Sequence, residues 1–143
     1  MIFLTVSVLA LSFPGCGKKE NTSDRTLRVG IVTYTQDDPF INTMTEQIRE
    51  DLKLKESKDM KILVSVKNGD NDQRDQDELV EEMIAAGCDV LCVNLVDRTA
   101  PSDIIKAARQ EKIPVIFFNR EPVKEDLMQW DQLYYVGCDA KQS

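Results

Sequence analysis

Four short apolar runs, residues 27–33, 61–66, 90–94 and 115–118, are separated by three longer segments whose apolar side chains recur every three or four positions. Few folds accommodate that alternation. The runs are rich in Val, Ile and Leu with little polar alternation, the pattern of strands buried on both faces and therefore parallel. The first intervening segment, about 40–55, puts Ile41, Met44, Ile48 and Leu52 at helical spacing. The second, about 73–86, carries Leu79, Val80, Met83 and Ile84, with Asn71 or Asp72 as its cap and Gly87 as its stop. The third, about 101–111, turns Ile104, Ile105 and Ala108 inward and opens on Pro101, where a missing N–H costs little. The prediction is an α/β fold in three layers, a parallel sheet with helices on both faces joined by right-handed crossovers. Residues 121–132 then break the alternation with charged, irregular sequence, and 133–136 form one more strand that no helix follows. That strand reads as the start of a second lobe, and the chain as the front portion of a longer protein.

The ends of the chain carry different information. Residues 1–13 are an apolar run too short to span a bilayer, followed by Pro14-Gly15-Cys16 and a polar stretch. Residues 1–15 look like a lipoprotein signal peptide, Cys16 is the expected lipid attachment site, and 16–26 form a tether; a plain secretory signal and an uncleaved apolar tail are the alternatives to the lipoprotein reading. Either signal places the protein outside the cytoplasm, with membrane lipid as a partner through Cys16 in the first case. The formal net charge of -7 and the lack of a basic stripe argue against nucleic acid. With no histidine and no Cys-x-x-Cys pair, a zinc site is not expected, and Cys88, Cys92 and Cys138 are read as reduced core residues. No Gly-rich phosphate loop and no nucleophile with a base is present, so the sequence supports no enzyme class and calls for no cofactor.

The first strand runs directly into Tyr34-Thr35-Gln36-Asp37-Asp38-Pro39-Phe40 before the first helix begins. Ligands of open parallel sheets bind at the carboxyl ends of strands. A carboxylate that accepts from hydroxyls, two residues from a ring that covers a CH face, suits a sugar.

Together with Asn94-Leu95-Val96-Asp97, Phe117-Phe118-Asn119-Arg120-Glu121-Pro122 and Tyr134-Tyr135-Val136-Gly137, this loop makes the chain resemble the galactose/glucose-binding proteins of methyl-galactoside ABC transporters. The resemblance runs from Leu27 to the last residue and covers less than half of such a protein. It implies the incomplete N-terminal lobe of a type I periplasmic binding protein, with 27–120 as the first segment of a sugar-binding lobe and 121–143 as the hinge and first strand of a second. It implies non-catalytic capture of galactose, glucose or a methyl galactoside by lobe closure, and delivery to the permease subunits of an ABC importer; ribose binding or an exported sugar chemosensor is the alternative.

On that resemblance Asp38 accepts from sugar hydroxyls, Phe40 stacks on one face of the ring, and Asn119 and Asn94 contribute amides. Each has a simpler alternative: Asp38 as a helix cap, Phe40 as a core residue, Asn119 as a turn residue. Asp37 is expected to face solvent and Trp130 to be a packing residue. The opposing aromatic and the calcium loop of that family fall outside this chain, so no metal is assigned to these residues. A phosphorylated receiver domain would need an aspartate closing the third strand, which Asn94 does not supply. A repressor core would open on a basic helix-turn-helix, which residues 1–26 are not.

Overall fold

A computed structural model describes residues 25–138. Five strands, β1 (Arg25–Thr33), β2 (Met60–Asn68), β3 (Val90–Val93), β4 (Val115–Phe118) and β5 (Leu133–Val136), form one parallel sheet in the order β2-β1-β3-β4-β5. Between them lie α1 (Pro39–Leu54), α2 (Gln73–Ala85), α3 (Ser102–Glu111) and the single turn α4 (Lys124–Leu127). Among the described residues no helix is long and apolar enough to cross a membrane.

The two faces of the sheet have separate cores. Met44, Ile48 and Leu52 of α1 pack with Val29, Ile31 and Ile62 on one face. On the other, Val80 and Met83 of α2 and Ile104, Ile105 and Ala108 of α3 pack with Val32, Leu91, Val93, Val115 and Phe117. Ile31 and Val32, adjacent in β1, are both fully buried, because this central strand is covered from above and below. Each such side chain contributes roughly 1.5–3 kcal/mol relative to exposure. Asp72, not Asn71, caps α2, accepting from the N–H groups of Arg74 at 2.8 Å and Asp75 at 3.2 Å. Gly87 stops α2 at φ 78, as its position predicted.

The structure corrects the reading of residues 133–136. β5 opens no second sheet; it extends the first, with Val115 opposite Leu133 and Phe118 opposite Val136. The connection that brings it there contains only the one-turn α4, too short for a helical period to show in the sequence, although Leu127 and Trp130 do pack on the α2/α3 core. Trp130 is a packing residue, as expected. Pairing with β4 satisfies backbone groups that an isolated strand would leave to water.

Cover on the α1 face runs out toward β5. The register aligns Ile31, Cys92, Ile116 and Tyr134 across the sheet, and exposure climbs from 0% at Ile31 to 52% at Tyr134, with Val136 at 63%. Of β4, Phe118 is still buried in the core that α1 covers, whereas β5 presents Tyr134 and Val136 exposed on that side.

The three described cysteines are free but not alike. Cys88 is buried, Cys92 half-buried and Cys138 exposed, so the expectation that all three fill the core fails at Cys138, which follows the last strand. Burial pushes the Cys92 thiol up to about 11. Iodoacetamide at about pH 8 is therefore expected to label Cys138 in the folded protein and Cys92 only after denaturation, because the thiolate is the nucleophile. Mass spectrometry of a time course checks this; equal rates at both would contradict the packing.

Candidate functional site

The order of the sheet reverses between β1 and β3: β1 leads outward through α1 to β2, whereas β3 returns on its other side. Loops leaving the two strands diverge there, which is where open α/β sheets hold ligands. Four predicted residues lie at this end.

Asp38 is the N-cap of α1 and something more. Oδ1 accepts from the N–H groups of Phe40 at 2.8 Å and Ile41 at 3.4 Å, while Oδ2 accepts from the Tyr34 hydroxyl at 2.6 Å. The Tyr34 hydroxyl first, and the Phe40 amide second, hold the Asp38 carboxyl below the usual carboxylate range. The same bond pushes the Tyr34 phenol up. At neutral pH the pair is therefore a fixed carboxylate facing a protonated phenol. Since the folded value lies below the unfolded one, the stability from this cap is complete above the ordinary carboxylate range and is lost as pH falls through the folded value. Asp37 is exposed beside it, as expected.

Phe40 follows at the start of α1 with 61% of its surface exposed, so it is not a core residue. Its backbone N–H, not its ring, is what contacts the carboxylate.

Asn94 closes β3 and is fully buried. Its N–H donates to the Val32 carbonyl at 2.9 Å and Nδ2 donates to the Phe118 carbonyl at 2.9 Å, tying the end of β3 to both neighbouring strands. Oδ1 is buried with no hydrogen-bond partner. A buried acceptor left without a partner costs free energy.

Asn119 leaves β4 in the left-handed region, φ 61, with its side chain exposed. Its N–H donates to the Val136 carbonyl at 3.0 Å, and its carbonyl accepts from the Tyr135 hydroxyl at 3.2 Å. The turn alternative is thus part of its role. Asn119→Gly is expected to leave stability unchanged, whereas Asn119→Ala costs about 1–2 kcal/mol for a Cβ in that conformation. Urea denaturation separates the two, and equal losses would mean the side chain, not the backbone, holds the turn.

Three residues that the sequence did not assign hold this end together. Gln76 of α2 is fully buried; its Nε2 donates to the Asn94 carbonyl at 3.0 Å and its Oε1 accepts from the Val96 N–H at 2.9 Å. One turn earlier, the Gln73 Oε1 accepts from the Asp97 N–H at 2.8 Å. Arg120 donates from Nη1 to the carbonyls of Leu95 at 3.2 Å and Val96 at 2.8 Å, and its guanidinium lies over the Tyr34 ring, 3.8 Å from the centroid. A polar residue in the buried stripe of α2, in line with Val80 and Met83, was the one visible sign of Gln76.

A contact chain therefore joins the predicted residues: Asp38 to Tyr34, Tyr34 to Arg120, Arg120 to the loop after Asn94, and Asn94 to the end of β4. Phe40 joins it only through the start of α1. A groove between α1 and β2, lined by Glu46, Arg49, Lys53 and Ile62, lies apart from it and carries ordinary surface ion pairs such as Arg49 with Glu46.

A parallel sheet with a carboxylate, an exposed ring and two amide side chains at its switch point is what the chain presents. The periplasmic binding protein domain family matches residues 29–143, and the chain belongs to that family. It is 34% identical over 116 residues to the D-galactose/methyl-galactoside binding periplasmic protein MglB of Haemophilus influenzae, covering 81% of this chain and 34% of that one. It is 26% identical over 125 residues to the ribose import binding protein RbsB of Bacillus subtilis, covering 83% of this chain and 39% of that one. Among solved structures it is similar to an ABC transporter solute binding protein from Bacillus halodurans with bound myo-inositol, with a TM-score of 0.66 at 26% identity over 87% of this chain and 39% of that one. The chain spans between a third and two fifths of the length of these relatives.

Proposed function

We propose that this chain supplies one lobe of an extracytoplasmic sugar-binding protein that serves an ABC importer, with D-galactose or D-glucose as ligand and capture in place of catalysis. The observation that carries the reading is Asp38, a carboxylate held by the Tyr34 hydroxyl and two helix N–H groups at the switch point, two residues from the exposed Phe40. Fixed acceptors suit ligand hydroxyls and an exposed ring suits a pyranose face. Asn119 adds an exposed amide, and Asn94, buried at the end of β3 with Oδ1 unpaired, is the fourth residue of the reading. The D-galactose/methyl-galactoside binding relative supports the choice of sugar, and the ribose import relative keeps D-ribose as the second reading. Lobe closure on the sugar, recognition of the closed form by a permease, and the residues after β5 as a passage toward a second lobe belong to the same proposal. So does lipid attachment through Cys16, which lies outside the described residues.

One lobe provides half of a two-lobed site, so binding by this chain is expected to be millimolar or weaker. An amide NMR titration with D-galactose, D-glucose and D-ribose tests the reading. Shifts confined to the loops after β1, β3 and β4 support it. Their absence with all three sugars, or shifts elsewhere, would remove it.

A further inference from the structure

Arg120 has no part in the ligand contacts proposed above, yet its side chain spans all three loops of the site. Nη1 fixes the first two carbonyls after Asn94, those of Leu95 and Val96, at 3.2 and 2.8 Å. Its guanidinium lies 3.8 Å from the centroid of the Tyr34 ring, within the range of a cation–π contact. Tyr34 in turn donates to Asp38 at 2.6 Å. The arginine is aimed back across the strand ends by the left-handed Asn119 before it, and its own N–H donates to the Phe118 carbonyl at 2.7 Å.

We propose that Arg120 is a positioning residue: by holding the Tyr34 ring it orients the Asp38 carboxylate, and by holding the Leu95 and Val96 carbonyls it sets the loop after β3 against that carboxylate. The cradle is then formed before any ligand arrives. This rests on the reading of Asp38 as an acceptor for ligand hydroxyls. Loops ordered in advance need no ordering on binding, so preorganisation raises affinity without adding a contact. The work calls for a planar fork. A lysine ammonium reaches the carbonyls or the ring, and not both in this geometry. With its guanidinium occupied by two carbonyls and a ring, Arg120 acts on the orientation of Asp38 and not as a counter-charge for an anionic ligand.

The test uses the full chain without ligand. The Asp38 carboxyl is titrated by carbon NMR and amide exchange is followed at Val96 and Asp97, in wild type, Tyr34→Phe, Arg120→Gln, Arg120→Lys and the Tyr34→Phe/Arg120→Gln double variant. The titratable and charged groups acting on Asp38 are Tyr34 and Arg120. Both Tyr34→Phe and Arg120→Gln are expected to raise the Asp38 midpoint, and the double variant to raise it by less than the sum, because the arginine acts through the ring. Exchange at Val96 and Asp97 rises about tenfold in Arg120→Gln and not in Tyr34→Phe, the loss expected of a hydrogen-bonded loop tie. Arg120→Lys restores one readout at most, never both. Tyr34→Phe removes one oxygen and keeps the ring, so it reports on the relay even if Arg120→Gln folds poorly. An Arg120→Gln protein with the wild-type Asp38 midpoint and wild-type exchange would overturn the proposal, even if it bound D-galactose less well. Neither readout needs a sugar. A wild type indifferent to D-galactose, D-glucose and D-ribose, in which Arg120→Gln still moves the midpoint, defeats the sugar reading and leaves the positioning role standing.

Discussion

Gln76→Met is expected to destabilise the domain by roughly 2–6 kcal/mol, one of the largest losses open to a single polar residue here. The side chain is fully buried and serves two backbone groups of the loop after β3, the Asn94 carbonyl and the Val96 N–H. Methionine fills similar space and satisfies neither. Each unpaired buried group costs roughly 1–3 kcal/mol, and together they take a large share of the 5–15 kcal/mol a domain has. Gln76→Ala adds a cavity and is expected to lose still more. Urea denaturation gives the loss, and amide exchange at Val96 locates it. A loss below about 1 kcal/mol in both variants would mean that water takes over the glutamine's bonds.

Asp38→Ala is expected to weaken sugar binding by about 5- to 150-fold in a protein that carries the complete site, the range for leaving one ligand hydroxyl without its acceptor. Asp37→Ala changes it by less than about twofold, since that carboxylate is exposed one position away and takes no part in the cap. Asp38→Asn separates two roles. Asparagine caps a helix nearly as well as aspartate, so α1 keeps its N-terminus, while the charge and the Tyr34 relay are lost. Calorimetric titration with D-galactose is therefore expected to rank the variants wild type, Asp37→Ala, Asp38→Asn and Asp38→Ala in falling affinity. Equal losses from Asp37→Ala and Asp38→Ala would overturn the assignment of Asp38. An unaffected Asp38→Asn would assign it to the cap alone.

Most of the fold was legible because its elements announce themselves locally. The bounds of β4 and β5 match the expected runs, and the three longer helices lie within two residues of their periodic segments. What failed was the membership of β5, since which sheet a short strand joins is decided by its partner and not by its own residues. Cys138 was missed for a related reason: a small apolar residue just past a strand has no periodicity to show which side it faces.

At the site, Asp38 and Asn119 were legible because their residue types suit special backbone positions, a helix cap and a left-handed turn. Asn94 was named for its place at the end of the third strand, and the sequence did not show that it is fully buried with one oxygen unpaired. Tyr34, Gln76 and Arg120 carried no comparable mark. Tyr34 and Arg120 meet only because β1 and β4 flank β3 in the sheet, and Gln76 reaches the loop after β3 only because α2 crosses behind it.

The sequence by itself determined the element order and the parallel sheet, because helix period, strand composition and capping chemistry are local properties of the chain. The tertiary structure alone decided that β5 extends this sheet and that Arg120, Tyr34 and Asp38 lie in one chain of contacts. Those contacts depend on strand order and crossover packing, which bring together residues that no local pattern links.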